Sequence, residues 1–173
     1  MKKDARILIT EACQYNCSYC CNKIPEQRAR FKEVENISEV PVEDYTNISI
    51  TGGEPLINIL DLHQVLADIE KRNDEANLFL YTNLGNGLFA THYSWLLHVF
   101  SGITVGIHNL NQLKDIHKNL ILFLAYNNQI RFKLQKKSPF KIVLEKLGLL
   151  NIEEYSINEC ETNEDIYLIK GGI

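Results

Sequence analysis

Hydrophobic and polar residues alternate along this chain in short stretches, each with the period of a strand or of a helix. The clearest strand pattern is Q-I-R-F-K-L-Q at Gln129–Gln135, which alternates strictly and predicts one buried face. The predicted strands are Arg6–Thr10, Asn47–Thr51, Asn77–Thr82, Ile103–His108, Gln129–Gln135 and Ile152–Asn158. The predicted helices are Asn58–Asn73, Thr91–Phe100, Leu110–Asn127 and Pro139–Leu147. Because strands and helices take turns, we predict an α/β fold.

Three stretches are less definite. The run L-I-L-F-L inside Leu110–Asn127 fits a strand as well as a helix, and we favour a helix through Leu124. Pro25–Asn36 carries mixed charges and few apolar residues, which predicts a solvated helix or an irregular connection. Ile166–Ile169 is interpreted as a short edge strand.

Length and composition narrow the class of protein. The chain has 173 residues, which suits a single domain over 1–173 without an accessory domain. Its formal net charge of -4 lacks the basic footprint of a protein that neutralises phosphates, which argues against nucleic acid as a partner. The sequence has neither a signal-peptide pattern nor an apolar run of about 18 residues. We therefore expect a cytoplasmic protein without membrane association.

The stretch Glu11–Cys21, E-A-C-Q-Y-N-C-S-Y-C-C, is called the cysteine loop below. Cys13, Cys17 and Cys20 have the spacing C-x3-C-x2-C, and thiolates select iron–sulfur clusters, zinc or copper(I). A structural zinc site normally has four protein ligands, whereas the loop offers three at this spacing. The five cysteines are odd in number and clustered, which predicts reduced thiols, with Cys21 and Cys160 incidental.

A second motif, I-S-I-T-G-G-E-P-L at Ile48–Leu56, follows the second predicted strand. With the cysteine loop, in which Tyr19 precedes the third cysteine of the motif, it resembles the radical S-adenosylmethionine (SAM) superfamily. The resemblance implies a partial (β/α)6 barrel with a mostly parallel sheet. It also implies a 4Fe-4S cluster held by Cys13, Cys17 and Cys20, whose open iron binds the methionine end of SAM.

The resemblance also implies a reaction. An external one-electron donor such as flavodoxin or ferredoxin reduces the cluster, and SAM is cleaved to methionine and a 5'-deoxyadenosyl radical. The radical abstracts hydrogen from a substrate, either a small molecule or a protein or peptide, whose identity the sequence does not reveal. The cofactor supplies the chemistry, and the protein supplies binding and orientation.

The resemblance assigns several side chains to the cofactor site. Gly52, Gly53 and Glu54 would meet the SAM ammonium group, and Tyr19 would lie against the adenine. Thr82, Asn83 and His108 end predicted strands where the family contacts the ribose or carboxylate. Arg131 or Lys133 would meet the carboxylate if their face of the strand points inward. The G-x-I-x-G pattern that many members show on the fifth strand is absent here, so the adenine contacts made by that pattern have no counterpart in this sequence.

Two other functions remain open. Within the superfamily, a chain of this size resembles the glycyl-radical-enzyme activases, which act on a protein partner, and also small deazapurine-forming and peptide-modifying members. From another class, the three cysteines suit a zinc-binding structural or interaction module. The five histidines show no tight spacing with the cysteine loop that would supply a fourth zinc ligand.

Overall fold

The computed structural model describes residues 3–15, 17, 20–83, 95–126, 128–155 and 164–170. The strands are β1 (Lys3–Leu8), β2 (Phe31–Val34), β3 (Tyr45–Thr51), β4 (Asn77–Thr82), β5 (Gly102–Ile107), β6 (Ile130–Gln135), β7 (Ile152–Tyr155) and β8 (Asp165–Ile169). The helices are α1 (Pro25–Arg28), α2 (Ile59–Arg72), α3 (described over residues 95–99), α4 (Leu110–Lys118), α5 (Leu120–Ala125) and α6 (Phe140–Lys146). Within these residues, no helix has the length and apolar content needed to cross a membrane.

All eight strands form one parallel sheet in the order β2-β8-β1-β3-β4-β5-β6-β7. Six of these strands, β1 and β3 to β7, correspond to the six strands predicted from the sequence, in the same order along the chain. Among the described residues the two outer strands, β2 and β7, do not pair with each other, so the sheet is not closed. The predicted fold class, an α/β partial barrel of the radical SAM type, is confirmed, and β2 and β8 extend it beside β1.

The two faces of the sheet differ in chemistry because side chains alternate along each strand. On β6, Ile130, Phe132 and Leu134 belong to the buried core and Arg131 and Lys133 lie on the opposite face. The core also takes up the apolar face of α2, with Leu62, Val65, Leu66 and Ile69 buried. The helices therefore cover the apolar face, and polar side chains occupy the other.

Two strand predictions need correction. Phe31–Val34 is a strand, because its backbone pairs with β8 from Phe31↔Ile166 to Val34↔Ile169 although its sequence lacks an apolar pattern. β8 is not an edge strand, since it lies between β2 and β1.

The predicted helix Leu110–Asn127 is helical, with a break at Asn119 between α4 and α5. Parts of three predicted elements, residues 91–94, 127 and 156–158, lie outside the described residues, as does Cys160.

Candidate active site

A cavity of about 220 Å³ lies at the carboxyl ends of the strands. In parallel α/β sheets this end carries the binding site, because the loops that follow the strands meet there. Its wall includes nine of the residues predicted from the sequence: Cys13, Cys17, Cys20, Gly52, Gly53, Thr82, Asn83, His108 and Lys133. The fold therefore brings together residues that are up to 120 positions apart in the chain.

The three predicted ligand thiols are free and partly exposed to the cavity. Burial raises the pKa of the Cys13 thiol, and hydrogen bonds from the Tyr15 backbone N–H and the Asn83 side chain oppose that rise. Among the described residues no three Cys, His, Asp or Glu side chains form a group that could hold a single metal ion. The thiols instead share the wall of a cavity, and an all-thiolate donor set fits an iron–sulfur cluster.

The two sequence motifs are joined through their backbones. The N–H of Gly53 donates to the carbonyl of Thr10 at 2.7 Å, and the N–H of Glu54 donates to the carbonyl of Ala12 at 2.8 Å. A Cβ on Gly53 would overlap the carbonyl oxygen of Ala12, and one on Gly52 would overlap that of Thr10. The glycines are thus needed where the turn passes the start of the cysteine loop.

Glu54 is fully buried and lies behind the cavity wall. Its Oε1 accepts hydrogen bonds from the Thr82 hydroxyl at 2.7 Å and from the Leu56 N–H at 3.0 Å. Its Oε2 accepts one from the Asn83 N–H at 2.6 Å. Glu54 is not among the described residues that line the cavity. Its carboxylate therefore fixes the end of β4 against the G-G-E turn and places a negative charge beneath the cavity.

Gln112 is a buried residue of the site that the sequence interpretation missed. Its Nε2 donates to the carbonyls of Asn83 at 2.7 Å and Gly106 at 2.9 Å, so it ties the end of β4 to β5. Its Oε1 accepts from the N–H groups of His108 and Asn109. The available signal was the helix-start pattern N-x-x-Q, since Asn109 and Gln112 form a capping box at the start of α4.

His108 and Asn22 contribute further polar groups to the wall. Burial lowers the pKa of His108, so the neutral imidazole is favoured, and its ring centroid lies 6.3 Å from that of Tyr15. Asn22, which carries no motif signal, donates from Nδ2 to the Gly52 carbonyl at 2.9 Å. The wall is therefore polar on the side of the G-G-E turn as well.

Among the described residues, three cations lie on the face of the sheet opposite the helices, which is called the inner face below. Two of them line the cavity. Arg6 pairs with Glu164 at 2.6 Å, and Lys133 lies 3.5 Å from Glu153. Arg131 is not among the described lining residues. It pairs with Glu153 at 2.9 Å and donates to the Thr104 hydroxyl at 3.0 Å.

Tyr155 of β7 completes the wall on the side of the last strand of the barrel. Burial raises the pKa of its hydroxyl, and the neighbouring thiols of Cys17 and Cys20 raise it further. Its ring lies 5.2 Å from the Lys133 ammonium. Tyr155 and Lys133 therefore face the cysteine loop across the cavity.

The predicted adenine neighbour, Tyr19, lies outside the described residues. The structure brings ten of the other predicted residues to one end of the sheet, nine of them in the wall and Glu54 directly behind it. It places Arg131 deeper on the inner face, next to Thr104. The individual cofactor contacts of all these residues remain predictions.

A protein-family model described as the Radical SAM superfamily matches residues 7–148, which is most of the chain.

Three relatives similar to parts of the chain are named GTP 3',8-cyclase. The one from Staphylococcus haemolyticus is 28% identical over 138 residues, which is 73% of this chain and 38% of the relative. The one from Campylobacter lari is 34% identical over 85 residues, 45% of this chain and 26% of the relative. The one from Campylobacter curvus is 30% identical over 118 residues, 63% of this chain and 35% of the relative. The chain thus spans about a quarter to two fifths of the length of the curated relatives it matches.

Proposed function

The chain belongs to the radical SAM superfamily, and from that membership we propose that it binds a 4Fe-4S cluster and SAM in this cavity and abstracts hydrogen from a bound substrate. The observation that carries the proposal is the junction of the two motifs. The backbone bonds from Gly53 to Thr10 and from Glu54 to Ala12 hold the G-G-E turn against the loop that bears the three thiols. A ligand of the turn therefore lies beside a group held by those thiols.

The roles of the residues follow from their chemistry. Cys13, Cys17 and Cys20 would hold the cluster, which supplies an electron from an external donor such as flavodoxin or ferredoxin for cleavage of SAM to methionine and a 5'-deoxyadenosyl radical. Gly52 and Gly53 line the cavity beside the cysteine loop, where their backbone would meet the methionine end of SAM. The Glu54 carboxylate lies directly behind them, where its negative charge favours the SAM ammonium.

Lys133 is a better partner for the SAM carboxylate than Arg131. Lys133 lines the cavity, and its ammonium lies 5.2 Å from the ring of Tyr155, whose hydroxyl is within electrostatic range of Cys17 and Cys20. Arg131 is not itself a described lining residue, and its guanidinium is already engaged by Glu153 and by the hydroxyls of Thr104 and Tyr81. Thr82, Asn83 and His108 remain candidates for contacts with the rest of SAM.

The inner face of the sheet suggests the chemical class of the substrate. Arg6 lines the cavity, and its guanidinium lies 5.1 Å from the Tyr81 ring and pairs through Nη2 with Glu164. Its Nε is buried and has no hydrogen-bond partner among the described residues. A cation in this position suits a small molecule that carries an anionic group. GTP, which appears in the name of the three relatives, is such an anionic molecule. We propose an anionic small molecule as the substrate.

Anaerobic reconstitution with iron and sulfide tests the proposal at the level of the cofactor. We expect about four irons per chain and SAM cleavage on reduction, and we expect both to be lost in Cys13→Ala, Cys17→Ala and Cys20→Ala. Cys21→Ala is the matched control and retains both. Stoichiometric zinc in place of iron, with no visible cluster absorbance, would establish the zinc-module alternative instead.

A second experiment separates an anionic small molecule from the activase alternative. Reconstituted protein is supplied with SAM, reductant and a panel of nucleotides, and 5'-deoxyadenosine is quantified with and without each one. The proposal predicts that an anionic compound increases its formation and that Arg6→Met removes the increase. Stimulation by a glycyl radical enzyme, with a glycyl radical signal on that partner and none of this response to small molecules, would favour the activase.

A further inference from the structure

Asn83 connects the cysteine loop to the end of β4. The residue is buried, with 7% of its surface exposed. Its side-chain Nδ2 donates to the Cys13 sulfur at 3.5 Å, and its Oδ1 accepts from Gln14 Nε2 at 2.8 Å. The Asn83 amide therefore contacts two residues of the loop that carries the predicted cluster ligands.

The chemistry of a metal-bound thiolate determines which end of this amide faces the sulfur. A thiolate has no proton and can only accept a hydrogen bond, so Nδ2 is the favourable neighbour of Cys13. Turning the amide over would bring Oδ1 against the thiolate and remove the acceptor of Gln14 Nε2. The orientation in the structure satisfies both neighbours of Asn83.

The main chain of Asn83 is held on both sides. Its N–H donates to Glu54 Oε2 at 2.6 Å, and its carbonyl accepts from Gln112 Nε2 at 2.7 Å. Because Glu54 and Gln112 are themselves buried, these bonds fix the position of the residue from below the cavity. The side-chain amide is thereby preorganised beside Cys13 before any cofactor binds.

We propose that Asn83 is a positioning residue that sets the reduction potential of the cluster bound through Cys13, an inference that rests on the proposed function. Hydrogen bonds to the ligating sulfurs are among the factors that set the potential of an iron–sulfur cluster. A donor withdraws negative charge from the sulfur and so favours the reduced cluster, which carries one more electron. Asn83 thus makes the cluster easier to reduce by the external donor.

Tyr15 provides a second donor to the same sulfur, and it is of a different kind. Its backbone N–H donates to Cys13 Sγ at 3.4 Å, so a side-chain substitution at Tyr15 leaves this bond in place. The bond from Asn83 comes from a side chain and is removed by substitution. Its contribution can therefore be measured separately.

The test is a redox titration of the reconstituted cluster, followed by electron paramagnetic resonance in the absence of SAM. We expect Asn83→Ala to shift the midpoint potential to a more negative value, with iron content unchanged. Asn83→Asp shifts it further in the same direction, because a carboxylate replaces the donor with negative charge. Asn22→Ala is the matched control, because Asn22 lies in the same wall but donates to the Gly52 carbonyl and not to a cysteine sulfur. We expect the cluster of this variant to keep the wild-type midpoint potential.

Gln14→Ala provides a measurement that does not alter Asn83 itself. Loss of the Gln14 Nε2 bond frees the amide to turn, which predicts a smaller shift in the same direction; this variant decides the question if Asn83→Ala does not retain iron. Unchanged potentials in iron-replete Asn83 and Gln14 variants would overturn this inference and leave the proposed function standing. A wild-type chain that assembles no cluster would overturn the proposed function and the inference together.

Discussion

The carboxylate of Glu54 accepts a hydrogen bond of 2.6 Å from the backbone N–H of Asn83, and this contact joins the turn after β3 to the end of β4. Glu54 also accepts from Thr82 and Leu56, so the carboxylate is surrounded by donors from its own chain. The residue that the motif predicts to act on SAM is therefore also a structural centre of the site. Its replacement has to affect stability as well as catalysis.

Glu54→Gln tests that structural role without any cofactor. The amide nitrogen has to face one of the three donors that now point at the carboxylate, which leaves buried donors without an acceptor. We expect the free energy of unfolding to fall by roughly 1–3 kcal/mol, measured by urea denaturation of the apoprotein. The exposed Glu70 of α2 supplies the control, because Glu70→Gln should change stability by no more than about 0.5 kcal/mol. Equal stability of the two variants would contradict the role given to Glu54.

Gly53→Ala tests the junction of the two motifs. The added Cβ overlaps the Ala12 carbonyl, which is backbone, so the cysteine loop has to move away from the turn. We expect a loss of roughly 1–3 kcal/mol in the free energy of unfolding together with reduced iron incorporation. In the control, Gly102→Ala, the nearest neighbour of the new Cβ is the Phe79 ring at 3.1 Å, and a side chain can turn aside. A Gly53 variant with normal stability and normal iron would show that the loop does not depend on this contact.

Lys133→Met and Arg131→Met compare the two cations of β6 as partners of the SAM carboxylate. A charge-assisted hydrogen bond contributes about 1.5–3 kcal/mol, so Lys133→Met should weaken SAM binding by about tenfold or more. Arg131→Met should have a smaller effect, because the Arg131 side chain is engaged by Glu153, Thr104 and Tyr81 and does not itself line the cavity. Calorimetric titration of the reconstituted proteins with SAM measures both affinities. A larger loss in the Arg131 variant would instead identify Arg131 as the partner of the SAM carboxylate.

Asp165 makes stability depend on pH at the opposite end of the sheet from the cavity. Its carboxylate accepts from Lys32 at 2.7 Å and from the Tyr45 hydroxyl at 3.0 Å, and the Lys32 bond is the main cause that holds the pKa of Asp165 below its ordinary value of 3.8. A group with a lowered pKa in the folded state stabilises the fold above its ordinary pKa, and this contribution is lost as the pH falls through the folded-state pKa.

We expect Asp165→Asn to remove a contribution of about 1 kcal/mol or less, since Lys32 is largely exposed. The difference in unfolding free energy between wild type and variant should therefore be largest near neutral pH and shrink below about pH 4. Urea denaturation over that range measures it, with Asp74→Asn, an exposed substitution, as the control. A difference that does not change with pH would show that the effect is not electrostatic.

Much of the fold could be predicted because most strands are buried on their helix-covered face. β4 has the predicted bounds, and β3, β5 and β6 agree to within one or two residues. β2 could not be predicted, because Lys32 and Glu33 are exposed and its apolar content is low. Its strand conformation comes from pairing with β8, a partner more than 130 residues away, and local periodicity carries no information about such pairing.

In the candidate site, too, the features with a local sequence pattern could be predicted, and those that depend on distant contacts could not. The cysteine loop and the G-G-E turn are local motifs, and the structure brings both to one cavity. The choice between Arg131 and Lys133 was left open, because both lie on the same face of β6 and only the three-dimensional surroundings separate them. Gln112 was missed because the N-x-x-Q pattern indicates only a helix start and carries no information about its contacts with β4 and β5. Tyr155 was missed because a single polar residue in a strand gives no indication of what it contacts.

The position of β8 between β1 and β2 has a consequence for the order of events during synthesis. The cysteine loop lies between β1 and β2, and β2 is held in the sheet by pairing with β8. β1 can pair with β3 early in synthesis. β2, which follows the cysteine loop, can pair with β8 only after residues 165–169 have left the ribosome. Contacts between such distant residues form slowly. Completion of the cysteine loop on its β2 side is therefore expected to be a late step in folding, and premature termination upstream of β8 would leave the loop held by the turn after β3 but without a paired strand after it.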